Sequence, residues 1–389
     1  MSLLLRGPRA APRRSRRWWL GFGLAMILLL VVAPLALSAF RLSLLSKYLC
    51  FAIVALGIDV AWGYGGMLTL GQGVFFGIGG YAMGMYLKLH EAGAGHLPDF
   101  MSWSGVEKLP LVWKPFRYAW VALPAAILLP VAVAVGLGYL IFRQRVRGAY
   151  FAILCQALAA AFAIWLVGEQ GLTGGTNGLT NFHELFGFKL SDPANQRSLY
   201  FVVAGTLLGL FLLARALVQS RYGRLLVAVR DGEDRVRFLG YNPLVVKTLA
   251  FAFSAALAGL AGALFVPVVG IISPTLVDVV PSLELLIGVA VGGRGTLYGA
   301  IIGAVAVNWA KTGLSEHFAS GWLYFQGALF VLVIVYAPGG LVGLWRKGRD
   351  AVLGRRTSRT DGTDRTGLAV PAVRPETAPA RRVELTGAP

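Results

Sequence analysis

Long apolar runs without a single charge constrain this chain more than any other feature of its sequence. Six such windows cover residues 18–40, 60–87, 118–142, 148–168, 248–277 and 318–345. Each reaches or exceeds the ~20 residues that a helix needs to cross a bilayer, whereas barrel strands need only ~10 alternating residues. With 57% hydrophobic and 14% charged residues, the chain is predicted to be an all-α polytopic membrane protein of about ten transmembrane or half-spanning helices.

The basic residues predict how these helices are oriented. The net charge is +18, and arginines concentrate before residue 18, at 143–147, in the interval 219–247 and after residue 345. Cytoplasmic segments of membrane proteins carry such an excess, so topology explains the charge without nucleic-acid binding. We therefore predict that both termini and Arg235 are cytoplasmic, while the loops that carry Lys108 and Lys189 face the other side.

Composition divides the chain into three regions. These are a basic cytoplasmic N-terminal tail at 1–17, a membrane domain at 18–345 and a basic cytoplasmic C-terminal tail at 346–389. The C-terminal tail has few large apolar residues, so it buries too little surface to offset the entropy of ordering, and we predict that it is disordered. The first apolar stretch is too long for the core of a signal peptide, so we interpret it as a span.

Two glycine-rich interruptions, at 63–73 and 292–299, fall within apolar segments. Glycine costs ~1 kcal/mol per residue in a helix, and a broken helix persists at membrane depth only where it lines a cavity or packs against protein. Matching interruptions in two halves of a chain indicate a transport path. The neutral polar residues in or beside them are Thr69, Gln72, Thr296, Tyr298 and Asn308. Each of these either lines the path or bonds a neighbouring helix.

The polar interval 219–247 separates two apolar segments. Within it, Leu226, Val229, Val236 and Leu239 recur near helical spacing among charged residues, which predicts an amphipathic helix. Such a helix either lies on the membrane surface or docks a cytoplasmic partner. The candidate docking residues are Gly223, Arg224, Arg230, Glu233, Asp234, Arg235 and Gly240.

Motifs of enzymes do not occur. No Gly-Lys dipeptide is present, which excludes a P-loop, and the glycine clusters never complete the dinucleotide-binding pattern. His90-Glu91 and His183-Glu184 lack the second histidine of a zinc protease helix. Cys50 and Cys155 lie in apolar segments and are predicted to be free buried thiols. We expect no catalytic site, metal or cofactor in this chain.

Several segments resemble the branched-chain amino acid permeases of bacterial ATP-binding-cassette (ABC) transporters. In the stretch 223–264, Asp234-Arg235-Val236 followed by Gly240 is similar to the family's coupling-loop motif Glu-Ala-Ala-x-x-x-Gly, although Asp replaces Glu and Arg-Val replaces the alanines. The segments 70–81, 172–178 and 292–299 also look like that family. Within it, the segments 81–88, 97–101, 109–117, 308–316 and 322–325 look closer to the urea permeases.

This resemblance covers about residues 40–345 and implies a multi-pass protein of the bacterial inner membrane. It implies four kinds of partner: a second homologous permease, two cytoplasmic ATPase subunits, a periplasmic substrate-binding protein and the lipid bilayer. Urea is the implied solute, with branched-chain amino acids or short amides as the alternative. A path for leucine should combine an apolar pocket with charges that complement a zwitterion, whereas urea needs a narrow polar passage. The sequence shows no convincing buried charge pair, which favours urea.

A second hypothesis is a stand-alone secondary transporter or channel. Such a protein needs ionisable residues within the membrane, and the candidates are Asp59, Glu284 and Lys311. All three lie near the ends of predicted spans, where snorkelling or loop solvation accounts for them. A membrane-bound enzyme is the third hypothesis and finds no supporting motif.

Overall fold

The structure is a computed structural model of the chain, and it describes residues 21–344 except 22, 94, 147, 316–320, 337 and 338. The tails predicted at 1–17 and 346–389 lie outside the described residues.

Helices account for most of the described chain. The long helices are α1 Gly23–Ala36, α2 Ala39–Ile58, α3 Gln72–Ala92, α4 Ala119–Arg143, α5 Ala149–Gly168, α6 Pro193–Gln219, α7 Arg221–Phe238, α8 Pro243–Val269, α9 Val279–Gly292, α10 Leu297–Ser315 and α11 Trp322–Tyr336. Shorter helices occupy Asp99–Trp103 and Gln170–Thr173. Four two-residue strands are β1 Leu179–Thr180, β2 Glu184–Leu185, β3 Phe188–Lys189 and β4 Ile271–Ile272. They pair as β1 with β4 and β2 with β3, both antiparallel.

Within the described residues, six helical stretches are long and apolar enough to cross a membrane. They are Ala39–Tyr64, Ala119–Arg143, Ala149–Gly168, Pro193–Gln219, Pro243–Val269 and Pro274–Gly292. The prediction of an all-α polytopic membrane protein is therefore confirmed.

Two helices begin before their apolar sequence does. α6 starts at Pro193, before the apolar run that follows Arg197, and α8 starts at Pro243, before the window 248–277. In each, an Asp or Asn cap precedes the proline: Asp192 accepts from the Ala194 amide, and Asn242 accepts from the Leu244 amide, both at 3.1 Å. Proline at the first position and a capping side chain before it start a helix within polar sequence, which a hydropathy window overlooks.

The first glycine-rich interruption is a true break. After Ile58 the chain continues as a π-helix over Asp59–Tyr64, and residues 66–71 have no regular structure before α3 starts at Gln72. Gly66 takes a φ of +71°, a left-handed conformation that ends a helix and that suits glycine. The break is thus confirmed, and α3 begins at Gln72, well inside the window 60–87.

The second interruption turns the chain back between α9 and α10. Gly293 and Gly295 have φ values of +116° and +72°, and Thr296 Oγ1 donates to the Gly293 carbonyl at 2.5 Å. α9 has 14 residues and spans ~21 Å at 1.5 Å per residue. With the short helix before it, the helical stretch Pro274–Gly292 is long enough to cross a membrane.

The buried core lies where α8 packs between α2, α3 and α4. Phe76 and Phe265 meet edge to face at 5.1 Å, and Phe75 meets Phe251 at 5.3 Å. At Gly79 and Gly262 the backbones of α3 and α8 approach closely enough that an added Cβ would overlap the facing carbonyl. Small residues at such crossings let membrane helices pack backbone to backbone.

The predicted outer and inner segments gather at opposite ends of the bundle. At one end, here named the outer end, Lys88 Nζ donates to the Asn181 carbonyl at 3.0 Å, and Trp113 Nε1 donates to the Leu172 carbonyl at 3.0 Å. At the other, here named the inner end, α7 contacts the break after α2 and the start of α8.

Candidate functional site

A cavity of about 410 Å³ lies between α2, α3, α9 and α10. Its apolar lining comes from Leu44, Phe51, Phe76, Leu276 and Leu285. Most of its α2 lining lies in the amino-terminal half of that helix and its α10 lining lies in the carboxy-terminal half, whereas Phe76 lies in the second turn of α3. The cavity therefore extends from the middle of the bundle toward the outer end.

Three ionisable side chains share this lining: Lys47, Glu284 and Lys311. Lys311 Nζ donates to both carboxylate oxygens of Glu284, at 2.7 and 2.5 Å. The Glu284 side chain is 18% exposed and that of Lys311 is 39% exposed. The cavity therefore holds two ammonium groups and one carboxylate beside an apolar wall.

The Glu284–Lys311 pair corrects the expectation that both residues snorkel separately near helix ends. They are 27 positions apart, and the tight turn after α9 folds α10 back against it so that the two side chains meet. Glu284 lies 8 positions before Gly292 and Lys311 lies 16 positions after Gly295, so spacing around the glycine turn does not predict this pair.

Neutral polar groups complete the lining on α2 and α10. The Tyr48 hydroxyl donates to Thr312 Oγ1 at 2.5 Å, and Thr312 Oγ1 donates to the Asn308 carbonyl at 3.1 Å. Asn308 lies in the cavity as a path residue should. Its Nδ2 donates to the Ala304 carbonyl of its own helix at 2.8 Å.

The other four predicted path residues lie elsewhere. Thr69 and Gln72 are buried, and the Thr69 hydroxyl and both polar atoms of the Gln72 amide have no hydrogen-bond partner among the described residues. Gln72 begins α3 one turn before Phe76, but unlike Phe76 it does not line the cavity. Thr296 is engaged in the α9–α10 turn, and Tyr298 is exposed on α10.

The inner end is dominated by α7, which is kinked. Gly232 leaves helical geometry there, with φ −169° and ψ 75°, so α7 consists of the halves 221–231 and 233–238. Ser220 caps the first half by accepting from the Gly223 amide at 3.3 Å. Gly223 is buried so tightly that a Cβ would overlap the Val218 carbonyl.

The buried face of α7 follows the predicted periodicity except at its end. Leu226, Val229 and Val236 are buried, whereas Leu239 is 75% exposed and Phe238 is 92% exposed. Leu239 was expected on the buried face, but α7 ends at Phe238, and Gly240 with φ +85° turns the chain away. With Tyr241, which is also exposed, these residues form an apolar tip at 238–241.

The charged residues of α7 divide into two groups. Arg224, Asp234 and Arg235 are exposed. Glu233 is 11% exposed and accepts from Lys247 Nζ at 2.6 Å and from Arg237 Nη2 at 3.3 Å. Glu233 therefore fastens the second half of α7 to the start of α8.

Arg230 reaches from α7 to the break after α2. Its Nη1 donates to the Gly63 carbonyl at 2.6 Å, and its Nε donates to Asp231 Oδ1 at 2.8 Å. That hydrogen bond from Arg230 lowers the pKa of the Asp231 carboxyl, which lies on the surface.

Asp59 begins the π-helix next to this contact, and the structure corrects the expectation that it snorkels. It is fully buried, and its Oδ1 accepts from the Gly295 amide at 2.5 Å. The Arg294 guanidinium lies over the Trp62 ring at 5.8 Å. The two glycine-rich interruptions, far apart in sequence, therefore contact each other.

Comparisons with known proteins agree with this architecture. A family described as the permease component of branched-chain amino acid transport systems matches residues 40–335. The high-affinity branched-chain amino acid transport system permease proteins LivM of Salmonella typhimurium and Escherichia coli are each 29% identical over 348 residues, covering 84% of this chain and 75% of theirs. The corresponding LivH protein of Salmonella typhimurium is 24% identical over 305 residues, covering 75% of this chain and 91% of its own. No solved structure matches the chain. A family match over this much of the chain shows that the protein is not an enzyme but a transport subunit, and that it belongs to the branched-chain amino acid permease family of ABC transporters.

Proposed function

We propose that this chain is the permease subunit of an ABC importer for a branched-chain amino acid or a similar small apolar zwitterion. The cavity carries the proposal, because it places an acid and two lysines beside an apolar wall. A solute carboxylate would bind Lys47, its ammonium would bind Glu284, and its side chain would pack against Phe51 and Phe76. A volume of about 410 Å³ lies within the ~300–1,000 Å³ range of small-ligand sites.

The same cavity argues against urea, the solute implied by the resemblance of 81–88 and 308–316. Urea is neutral, so a passage for it requires hydrogen-bonding groups and no charges. A zwitterion needs charged partners, and the Glu284–Lys311 pair supplies them. The sequence alone shows no such charge pair. The names of two similar relatives, the LivM proteins of two organisms, also support the amino acid.

The partners follow from the family and from the exposed groups. A half-exposed ion pair within apolar helices is costly to leave against hydrocarbon, so we place the second permease over the open side of the cavity, against α2 and α10. A periplasmic binding protein would deliver the solute at the outer end. Two ATPase subunits would bind the inner end.

We place the ATPase contact on the second half of α7 and its apolar tip. Phe238 and Leu239 are large apolar side chains on a polar segment, and such exposure marks a protein contact. Asp234 and Arg235 flank the tip with exposed charges, which would set the specificity of docking. Glu233 serves this surface indirectly, since it holds the second half of α7 against α8.

Uptake by the reconstituted complex tests the function. Vesicles containing both permeases and both ATPases, supplied with the binding protein, should take up radiolabelled leucine only with ATP. Glu284→Gln and Lys47→Met should each raise the KM for leucine about 10- to 100-fold, the factor that corresponds to losing a charge-assisted hydrogen bond of ~1.5–3 kcal/mol. Lys189→Met, on an exposed strand of the outer end, is the matched control and should leave KM unchanged.

Three outcomes would overturn the proposal. Uptake of urea without uptake of leucine would show that urea is the solute. An unchanged KM for leucine in both cavity variants would show that the cavity does not bind the solute. Uptake that persists without the ATPase subunits would restore the hypothesis of a secondary transporter.

A further inference from the structure

We infer that Arg230 and Asp59 are positioning residues that join the docking helix α7 to the α9–α10 turn through the inner end of α2. The inference rests on the proposed function, because it explains how movement of α7 reaches the cavity. It goes further by naming side chains that transmit the movement without contacting the solute.

The first link joins α7 to α2. Arg230 and Gly63 are 167 positions apart, yet the guanidinium donates to the Gly63 carbonyl at 2.6 Å. The stem of Arg230 also packs over Gly66, where an added Cβ would lie 2.6 Å from Arg230 Cγ. Gly63 lies in the last turn of the π-helix, whose final carbonyls have no partner within the helix and carry partial negative charge. A guanidinium suits this position because it is positively charged and carries several N–H donors.

The second link joins α2 to α10. The Gly295 amide, which donates to Asp59 at 2.5 Å, lies two positions before α10 begins at Leu297. Amides at a helix start lack intrahelical acceptors and favour a negative partner. Asp59 Oδ1 thus caps α10 from another helix, whereas the buried Oδ2 has no hydrogen-bond partner among the described residues. A buried carboxylate depends on such bonds for its stability.

The fit between these groups is too close for either link to move alone. An added Cβ at Gly63 would lie 2.8 Å from Gly295 Cα and would overlap the Asp59 carboxylate. The stacking of Arg294 over Trp62 at 5.8 Å joins the same two segments a second time. Displacement of α7 at Arg230 must therefore carry the break after α2 and the start of α10 with it.

The helices joined at the inner end are those that line the cavity. Asp59 continues the helix that carries Lys47, and Gly295 belongs to the turn between Glu284 on α9 and Lys311 on α10. The distance from Asp59 to Lys47 along the helix is roughly 18 Å at 1.5 Å per residue. Helices are rigid over that length, so motion at α7 changes the spacing of the charged groups around the solute.

The test measures solute moved per ATP hydrolysed in vesicles that hold the full complex. Arg230→Gln and Asp59→Leu should each lower that ratio about tenfold, within the usual range of coupling between sites, while the KM for the solute changes less than about twofold. Arg230→Lys retains a donor and Asp59→Asn retains the acceptor oxygen, so both should recover most of the ratio. Arg221→Gln, an exposed arginine on the same helix, should leave it unchanged.

A ratio equal to wild type in Arg230→Gln and Asp59→Leu would overturn the inference. The inference would also be overturned if Arg230→Lys and Asp59→Asn lowered the ratio as much as Arg230→Gln and Asp59→Leu. The ratio would then not depend on the hydrogen bonds that the conservative variants retain. Leucine and urea are both assayed, so a wild-type complex that moves urea alone refutes the amino acid assignment while the ratio still tests the two links.

Discussion

Gly79→Ala should destabilise the protein by forcing α3 and α8 apart. An alanine Cβ at this position would overlap the Gly259 carbonyl oxygen and would lie 2.6 Å from Gly259 Cα, whereas ordinary contacts begin at 3.4 Å. The helices must therefore separate by more than roughly 0.8 Å, a degree of overpacking that costs ~1–3 kcal/mol. Alanine also gains ~1 kcal/mol in helix propensity over glycine, which partly hides the packing cost.

Gly209→Ala is the control that removes this ambiguity. Gly209 lies within α6 with no atom within 4 Å of an added Cβ, so the variant gains the propensity without a packing cost. The free energies of unfolding of the two variants should differ by the ~1–3 kcal/mol of overpacking alone.

Two buried cysteines provide the assay. Cys50 and Cys155 are free and buried, and the chain has 2 cysteines, so a thiol-reactive fluorogenic dye labels the protein only as it unfolds in detergent. Gly79→Ala should melt below both wild type and Gly209→Ala. If the melting temperature of Gly79→Ala equals or exceeds that of Gly209→Ala, the α3–α8 contact accommodates the added methyl group and the packing argument is refuted.

Three further predictions concern the topology, the contact of α7 with α8 and the C-terminal tail. A cysteine at Lys189 should react with an impermeant thiol reagent added outside cells and one at Arg235 should not, and labelling of the Arg235 site from outside would contradict the topology. Glu233→Gln should destabilise the protein by about 1–2 kcal/mol, because Lys247, whose side chain is 12% exposed, loses its carboxylate partner; dye labelling during melting measures it. Truncation after residue 353 should leave uptake intact, and its loss with normal membrane levels would assign the tail a role.

The sequence predicts the fold well because membrane helices are specified locally. Apolar windows predict α1, α3, α4, α5, α8 and α11, and glycine density predicts both interruptions. The windows leave out α2 and α6 because Arg41 and Lys47 lie in α2 and Arg197 and Arg215 lie in α6. The starts of α6 and α8 were missed because capping by Asp192 and Asn242 operates in polar sequence. The short pairing of β1 with β4 was also missed, because two-residue strands leave no periodicity to detect.

The docking helix shows where local periodicity stops being informative. Its pattern correctly predicts three buried positions, Leu226, Val229 and Val236, and fails at Leu239. Periodicity assumes that the helix continues, whereas Gly240 ends it, so the next apolar residue points into solvent. The exception is informative about function, since an apolar residue that leaves the buried face becomes available to a partner.

The ionisable residues of the membrane domain show the limit of reasoning from position in the sequence. Asp59, Glu284 and Lys311 were assigned to helix ends because each lies near the edge of an apolar window, and that placement is correct for the chain taken alone. Whether such a side chain is solvated or buried depends on the group that faces it in the fold. For Asp59 this group is the Gly295 amide, 236 positions away in the sequence. Helix ends are solvated only when no other segment covers them. In this fold the two glycine-rich interruptions bring helix ends into the interior, so a residue at a helix end becomes a buried residue. An ionisable residue beside a glycine break in a membrane chain is therefore better interpreted as a contact between two breaks than as a snorkelling side chain.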